Sequence, residues 1–280
     1  MRWRRWSSLE RLELWKNKIE ERLRELLMPF EPSLLYQAMS YYLFQDGKRI
    51  RPLLLCAVCD ALGGNVEDAI TLGCAVEMLH NYSLIHDDLP ALDNDTLRRG
   101  KPTCHIVFGE DIALLAGDAL LTYSFEVLAS PENFNSLSEK DLLMLVRELA
   151  FRAGYLGMVG GQVLDVKRFS KQEEISLKKT AQLFAFCFVA GGITAKRYDL
   201  LRELESLGLR FGLLFQMVDD YKDKDGFYRL YGEELLTRLE SLKEELEREL
   251  RDFGILTEEL ESLLVLVFGG GGGIRTPGGL

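Results

Sequence analysis

The chain has 280 residues, 47% of them apolar and 28% charged, a globular composition that excludes a disordered chain. With 34 Lys and Arg against 44 Asp and Glu, the formal charge is −10. That excludes a non-specific nucleic-acid binder and means that an anionic substrate needs cations to mediate its binding.

Taken in chain order, the pattern is helical throughout. The basic opening Met1–Trp6 runs straight into a charged stretch, without the apolar core or cleavage site of a secretory signal. Leu9–Leu27 repeats leucines at three- and four-residue spacing and reads as an amphipathic helix, ended near Pro29 and Pro32. Leu34–Phe44 and Pro52–Leu62 follow as helices, with Gly63-Gly64-Asn65 as punctuation. Asp68–Asp88 is a long helical run with small residues on one face. Further helices are expected at Ala113–Ala129, Glu139–Gly154, Glu173–Gly191, Leu200–Asp220 and Glu233–Asp252. No alternating strand pattern stands out, so the expected fold class is all-α, one helical bundle over residues 1–268. Gly269–Gly273 opens a glycine-rich tail to Leu280, which is excluded from the fold. No run reaches the roughly 18 uninterrupted apolar residues of a membrane span. Of the five cysteines, Cys56 and Cys59 form a C-x-x-C inside an apolar helix without a second pair. They read as buried core thiols in a reducing, cytoplasmic compartment.

Two aspartate clusters carry the chemistry. Pro90 disfavours a helical Leu89, so Asp87 and Asp88 end a helix, with Asp93 and Asp95 just beyond. Carboxylates at the negative end of a helix dipole are unfavourable unless a cation compensates them. Asp219 and Asp223 lie four apart on one helix face after the apolar run Phe211–Val218, and Gly226 is expected to close that helix. His80 and His86 are six apart, off a common face, and no zinc spacing is present. Either acidic cluster alone reads equally as a solvated helix end. The two together point to a hard divalent cation such as magnesium, bridged to phosphate. Two basic knots, Gly47-Lys48-Arg49-Ile50-Arg51-Pro52 and Arg98-Arg99-Gly100-Lys101-Pro102, suit the remaining phosphate oxygens. Metal-bridged phosphate binding reconciles an acidic chain with an anionic substrate.

These residues resemble the trans-isoprenyl diphosphate synthase (polyprenyl synthetase) family. Ser83–Asp95 with Leu97–Thr103 is similar to its first aspartate-rich motif, and Phe215–Asp223 to its second. Gly47–Pro52 and Gly160-Gly161-Gln162-Val163-Leu164-Asp165 match two further signatures in the family's order. The likeness runs from Leu34 to Asp225 and is nearest to the short-chain bacterial farnesyl diphosphate synthases. It implies a helical bundle around a deep central cavity, usually a homodimer. The implied reaction condenses isopentenyl diphosphate with dimethylallyl or geranyl diphosphate, using magnesium, three ions per active site, with manganese as a substitute. Carried over by position, Asp87, Asp88 and Asp93 resemble magnesium ligands on one side, and Asp219 and Asp223 those on the other. Arg98, Lys179, Thr180 and Gln216 resemble the allylic-substrate contacts. Gly47, Lys48, Arg51, His80 and Arg99 resemble the isopentenyl diphosphate site, and Gln162 and Asp165 cavity-lining residues. Tyr82, five residues before Asp87, is expected to floor the cavity and to hold the product at C15.

One departure stands out. Members continue past the second motif through a glycine- and lysine-rich loop, whereas Asp225–Leu230 leads here almost at once into another helix, leaving Lys222 or Lys224 as substitutes. That keeps a catalytically silent regulatory subunit in view as an alternative to a synthase. A longer-chain, C20 synthase is a second alternative, which Tyr82 opposes. A terpene cyclase is disfavoured, because the stretch from Asp219 does not follow Asn/Asp-Asp-x-x-Ser/Thr-x-x-x-Glu and the Gly47–Pro52 motif is intact.

Overall fold

A computed structural model describes residues 7–269. The basic Met1–Trp6 and the glycine-rich stretch from Gly270 lie outside the described residues. Helix α1 (Ser8–Leu26) opens on a capping box, in which the Ser7 amide donates to Glu10 Oε2 and the Glu10 amide to Ser7 Oγ. Its Leu12, Trp15, Ile19 and Leu23 form the buried stripe that the leucine spacing predicts. Helices α2 (Ser33–Leu43), α3 (Ile50–Ala61) and α4 (Val66–Asp87) follow. Asn65 caps α4 by accepting from the Glu67 and Asp68 amides. This helix is apolar nearly all round, and it is the bundle's central rod, packed by α1, α2, α3, α6 and α10.

Beyond α4 come a small hairpin, β1 (Leu97–Arg98) and β2 (Lys101–Pro102), then α5 (Cys104–Phe108) and α6 (Glu110–Ala129). The hairpin corrects the expectation of no strand. Arg99 and Gly100 both take positive φ, 51° and 76°, as a two-residue hairpin turn requires. At 20 residues and a mean hydropathy of 1.5, α6 is long and apolar enough to cross a membrane. Its Ala113, Ala116, Gly117, Leu120 and Ser124 nonetheless pack into the bundle.

The rest is α7 (Glu139–Ala153), α8 (Met158–Lys167), α9 (Gln172–Ser176), α10 (Gln182–Thr194), α11 (Leu201–Asp223), α12 (Gly226–Tyr231), α13 (Glu234–Asp252) and α14 (Glu258–Gly269). Three expectations change here. The single helix anticipated over Glu173–Gly191 is two helices joined by a π-helical turn, Leu177–Ala181. Helix α11 closes at Lys224 in the left-handed conformation, φ 58°, and Gly226 opens α12 instead of ending α11. Gly269, placed in the tail by its sequence, is the last residue of α14. One apolar core runs from Leu12 to Phe268, and all five cysteines are buried and unpaired within it. Burial pushes the Cys59 thiol up to about 12, so this thiol stays protonated and inert.

Candidate active site

The open end of the bundle holds two adjoining cavities, of about 490 Å³ and 370 Å³. Arg51, His80, Arg99, Phe215 and Asp219 border both, forming the partition between them. The larger is walled by Tyr82, Ser83, His86 and Asp87 of α4, by Met158, Val159 and Gln162 of α8, and by Lys179, Thr180 and Gln216. The smaller is walled by Gly47, Lys48, Glu77 and Lys222, with Leu266 and Val267 of α14. Residues far apart in sequence thus gather in one place, because α3, α4, α8, α10 and α11 converge there.

The first acidic cluster ends α4 as expected, with Asp88 at the C-cap. The chain then folds back on itself. The Asp93 amide donates to the Asp87 carbonyl at 2.9 Å, which returns Asp93 beside Asp87. Burial pushes the Asp87 carboxyl up to about 6. Lys179 opposes that rise, and Asp93 and Asp88 add to it. Asp93 moves up for the same reason. Asp219, in the partition, is also raised to about 6 by burial, against Lys222, with Asp223 adding to the rise. Divalent cations suit carboxylates placed this way, because they would neutralise charges that burial penalises. Among the described residues no group of three or more His, Cys, Asp or Glu is placed to hold a metal ion. A phosphate group is suited to supply the further oxygen ligands that such a cation would need.

Asp88 departs from its expected role as a metal ligand. Its side chain is fully buried and its oxygens are already occupied. Arg98 donates to both, through Nε at 2.8 and 3.0 Å and Nη2 at 2.5 Å, and Tyr42 Oη donates at 2.6 Å. Tyr42 Oη in turn accepts from the Cys104 amide at 3.1 Å. This network ties the hairpin to α2 and aims Arg98 at the cavity. Tyr42 carries no motif signal, and only packing reveals it. Asp223 is exposed one turn beyond Asp219 and borders neither cavity.

The first basic knot divides its labour. Arg49 is buried, donating to Glu77 at 2.6 Å, to Glu20 at 2.6 Å and to the Leu43 and Gln45 carbonyls. Its left-handed φ of 50° turns the chain into α3. Arg51 points the other way, into the partition, stacked over Phe184 at 4.6 Å and Phe215 at 5.6 Å. Its Nη1 lies 3.3 Å from His80 Nε2, and its Nε is buried without a partner. Burial, with Arg51 and Arg99 alongside, holds His80 well below the usual imidazole range, so it is a neutral hydrogen-bonding group. Gly47 lies against Arg99, whose Nη1 would be 3.4 Å from an added Cβ.

The π-helical turn places Lys179 and Thr180. Thr180 Oγ1 donates to Gln216 Oε1 at 2.7 Å, and Gln216 Nε2 donates to Asp220 Oδ1 at 2.7 Å. Asp165, expected on the cavity wall, instead accepts from Lys179 Nζ at 2.6 Å. Gln162 does line the cavity, and both its polar side-chain atoms are buried without partners. Gly161 makes the arrangement possible: a Cβ there would meet the Lys179 amide nitrogen at 2.3 Å. Tyr82 is buried against the cavity, its ring edge-on to His86 at 5.5 Å. The two histidines judged to lie off a common face both border the larger cavity. After the second acidic cluster a single residue, Asp225, separates the Lys224 cap from α12, so the departure seen in sequence is present in the fold.

A family model described as polyprenyl synthetase matches residues 32–236. The chain is 47% identical over 202 residues to a farnesyl diphosphate synthase from Bacillus subtilis, covering 70% of this chain and 68% of that one. It is 46% identical to the large subunit 1 of a heterodimeric geranylgeranyl pyrophosphate synthase from Arabidopsis thaliana, of which it spans 55%. Among solved structures, an FPP/GFPP synthase from Zymomonas mobilis superposes with a TM-score of 0.84 at 33% identity, covering 93% of this chain and 97% of that one.

Proposed function

The chain belongs to the polyprenyl synthetase family, and on that premise we propose that it is a short-chain trans-prenyltransferase joining isopentenyl diphosphate to dimethylallyl or geranyl diphosphate to give farnesyl diphosphate. The observation that carries this reading is the pair of cavities sharing one basic and aromatic partition. Two diphosphate substrates must meet carbon to carbon, and two adjoining pockets of this kind bring them together. The larger cavity has the acidic lip and the deep apolar wall that an allylic diphosphate requires. The smaller has Lys48, Arg51, His80 and Arg99 for isopentenyl diphosphate.

The chemistry follows from the side chains. Asp87 and Asp93 on one lip and Asp219 on the other would hold magnesium, which when bound supplies positive charge toward the departing diphosphate. Lys179 and Arg98 add fixed positive charge on the same side. As the allylic carbon–oxygen bond breaks, its electron pair leaves with the diphosphate. The side-chain oxygens of Thr180 and Gln216 face the allylic cation, and the apolar wall keeps water from it. The double bond of isopentenyl diphosphate then supplies the pair for the new carbon–carbon bond, and a proton leaves to a diphosphate oxygen. Gln162 brings unpaired polar atoms that a bound substrate can satisfy. Asp88 serves by fixing Arg98 rather than by holding metal. Tyr82 and His86 floor the larger cavity and limit the product to C15.

The exposed apolar side chains Ile106, Val107, Leu114 and Leu115 on α5 and α6 support a homodimer through that face. Five unpaired buried cysteines support a reducing, cytoplasmic setting. The geranylgeranyl pyrophosphate synthases among its relatives favour a C20 product as the second reading, and Tyr82 is the residue that separates the two. The test incubates the purified protein with magnesium, labelled isopentenyl diphosphate and geranyl diphosphate, and sizes the dephosphorylated products. A C15 alcohol, abolished by EDTA, is expected. A C20 alcohol would keep the reaction and refute the floor. No product from a folded protein would refute the reading and favour a non-catalytic subunit.

A further inference from the structure

The smaller cavity is not built from the basic knot alone. Lys222 of α11 also lines it, and so do Leu266 and Val267, in the last turn of α14. Lys222 Nζ donates to the Val267 carbonyl at 3.3 Å. A helix C-terminus presents carbonyl oxygens and the negative end of its dipole. Left bare beside an anion pocket, that end would oppose a diphosphate. The ammonium of Lys222 lies between the two, so it both engages the helix end and presents positive charge to the cavity.

Lys224, two residues further on, is placed quite differently. It is exposed, packs over the rings of Tyr221 at 4.4 Å and Tyr228 at 3.8 Å, and pairs with Glu233 at 3.6 Å. It borders neither cavity. Of the two lysines flanking Asp223, then, only Lys222 faces the substrate pockets. Three acids also line this cavity: Glu77 is committed to Arg49, Asp219 stands at the partition with the larger cavity, and Asp46 precedes Gly47, its carbonyl accepting from Arg99 Nη1.

We propose that Lys222, seated on the end of α14, is an isopentenyl-diphosphate-binding residue that joins Lys48 and Arg51 in lining the smaller cavity. This rests on the proposed prenyltransferase reading and adds to it a residue that also makes the C-terminal helix part of the isopentenyl site. Removal of Lys222 therefore weakens one substrate and not the other.

The experiment is steady-state kinetics on the full chain, varying isopentenyl diphosphate at saturating geranyl diphosphate and then the reverse. Wild type is compared with Lys222→Met, Lys222→Arg and Lys224→Met. Loss of one charge-assisted hydrogen bond predicts that Lys222→Met raises the KM for isopentenyl diphosphate about tenfold to a hundredfold. The KM for geranyl diphosphate stays within about twofold, Lys222→Arg recovers most of the loss, and Lys224→Met behaves as wild type. An unchanged KM for isopentenyl diphosphate in Lys222→Met overturns the proposal, as does an equal rise for both substrates. Should Lys222→Met not fold, Lys222→Gln carries the same comparison. Wild-type protein without turnover would overturn the prenyltransferase reading itself, and this inference with it.

Discussion

Asp87 should cost stability and supply activity, and the two effects can be separated with one substitution. Burial raises its carboxyl from an ordinary 3.8 to about 6 in the folded chain. The folded protein therefore takes up this proton more readily than the unfolded one. Stability falls as pH rises from about 4 to about 6, and it stays lowered above that. A rise of that size corresponds to about 3 kcal/mol, which solvent at the mouth of the cavity reduces to about 1–2 kcal/mol. Asp87→Asn removes the charge and keeps the shape. In urea titrations at pH 8 with EDTA, the variant should be more stable than wild type by about 1–2 kcal/mol. The gain should shrink to about half as pH is lowered to 4.5. Turnover with magnesium and both diphosphates should fall by about two to three orders of magnitude, because electrostatic stabilisation of the leaving diphosphate is lost. A variant less stable than wild type at pH 8, or a gain that does not change between pH 8 and 4.5, would refute the reasoning.

Three further outcomes follow from the same geometry. Tyr82→Ala removes the ring packed on His86 and should shift the product from C15 to C20, read by chromatography of the dephosphorylated alcohols; an unchanged length would exclude Tyr82 as the floor. Arg49→Met leaves Glu77 buried without its partner and should destabilise by about 3–5 kcal/mol in urea unfolding; a loss under 1 kcal/mol would mean that the network does not fix the turn into α3. Gly161→Ala drives a Cβ against the backbone of Lys179 and should lower kcat at least about tenfold with little change in the KM for isopentenyl diphosphate; full activity would show that α8 can move aside.

Much of the fold was legible because its rules are local. The leucine spacing of α1 at Leu12, Ile19 and Leu23 is a one-dimensional signal, and burial follows it directly. The break after Asp88 follows from Pro90 and the proline's effect on its predecessor. The π-helical turn at Leu177–Ala181 was not legible, because its residues have ordinary helical propensity. There α8 packs against the turn at Gly161, and a helix and a π turn differ by one residue per turn. The hairpin at Arg98–Lys101 was also missed, being too short for an alternating pattern. Its one local signal is Gly100 behind two arginines.

The sequence by itself determined the all-helical class, the two acidic clusters, the two basic knots and the family to which they belong. Residue type and spacing along one chain are enough for each of those. Which member of a motif borders a cavity was decided only by tertiary structure. Asp87 and Asp88 are neighbours of one chemistry, yet one borders the cavity and the other is consumed by Arg98 and Tyr42. Arg49 and Arg51 divide in the same way, one locked to Glu77 and one open to the partition, as do Lys222 and Lys224. The physical reason is that successive residues on a helix or turn point in different directions. What each side chain meets is then set by elements tens to hundreds of residues away.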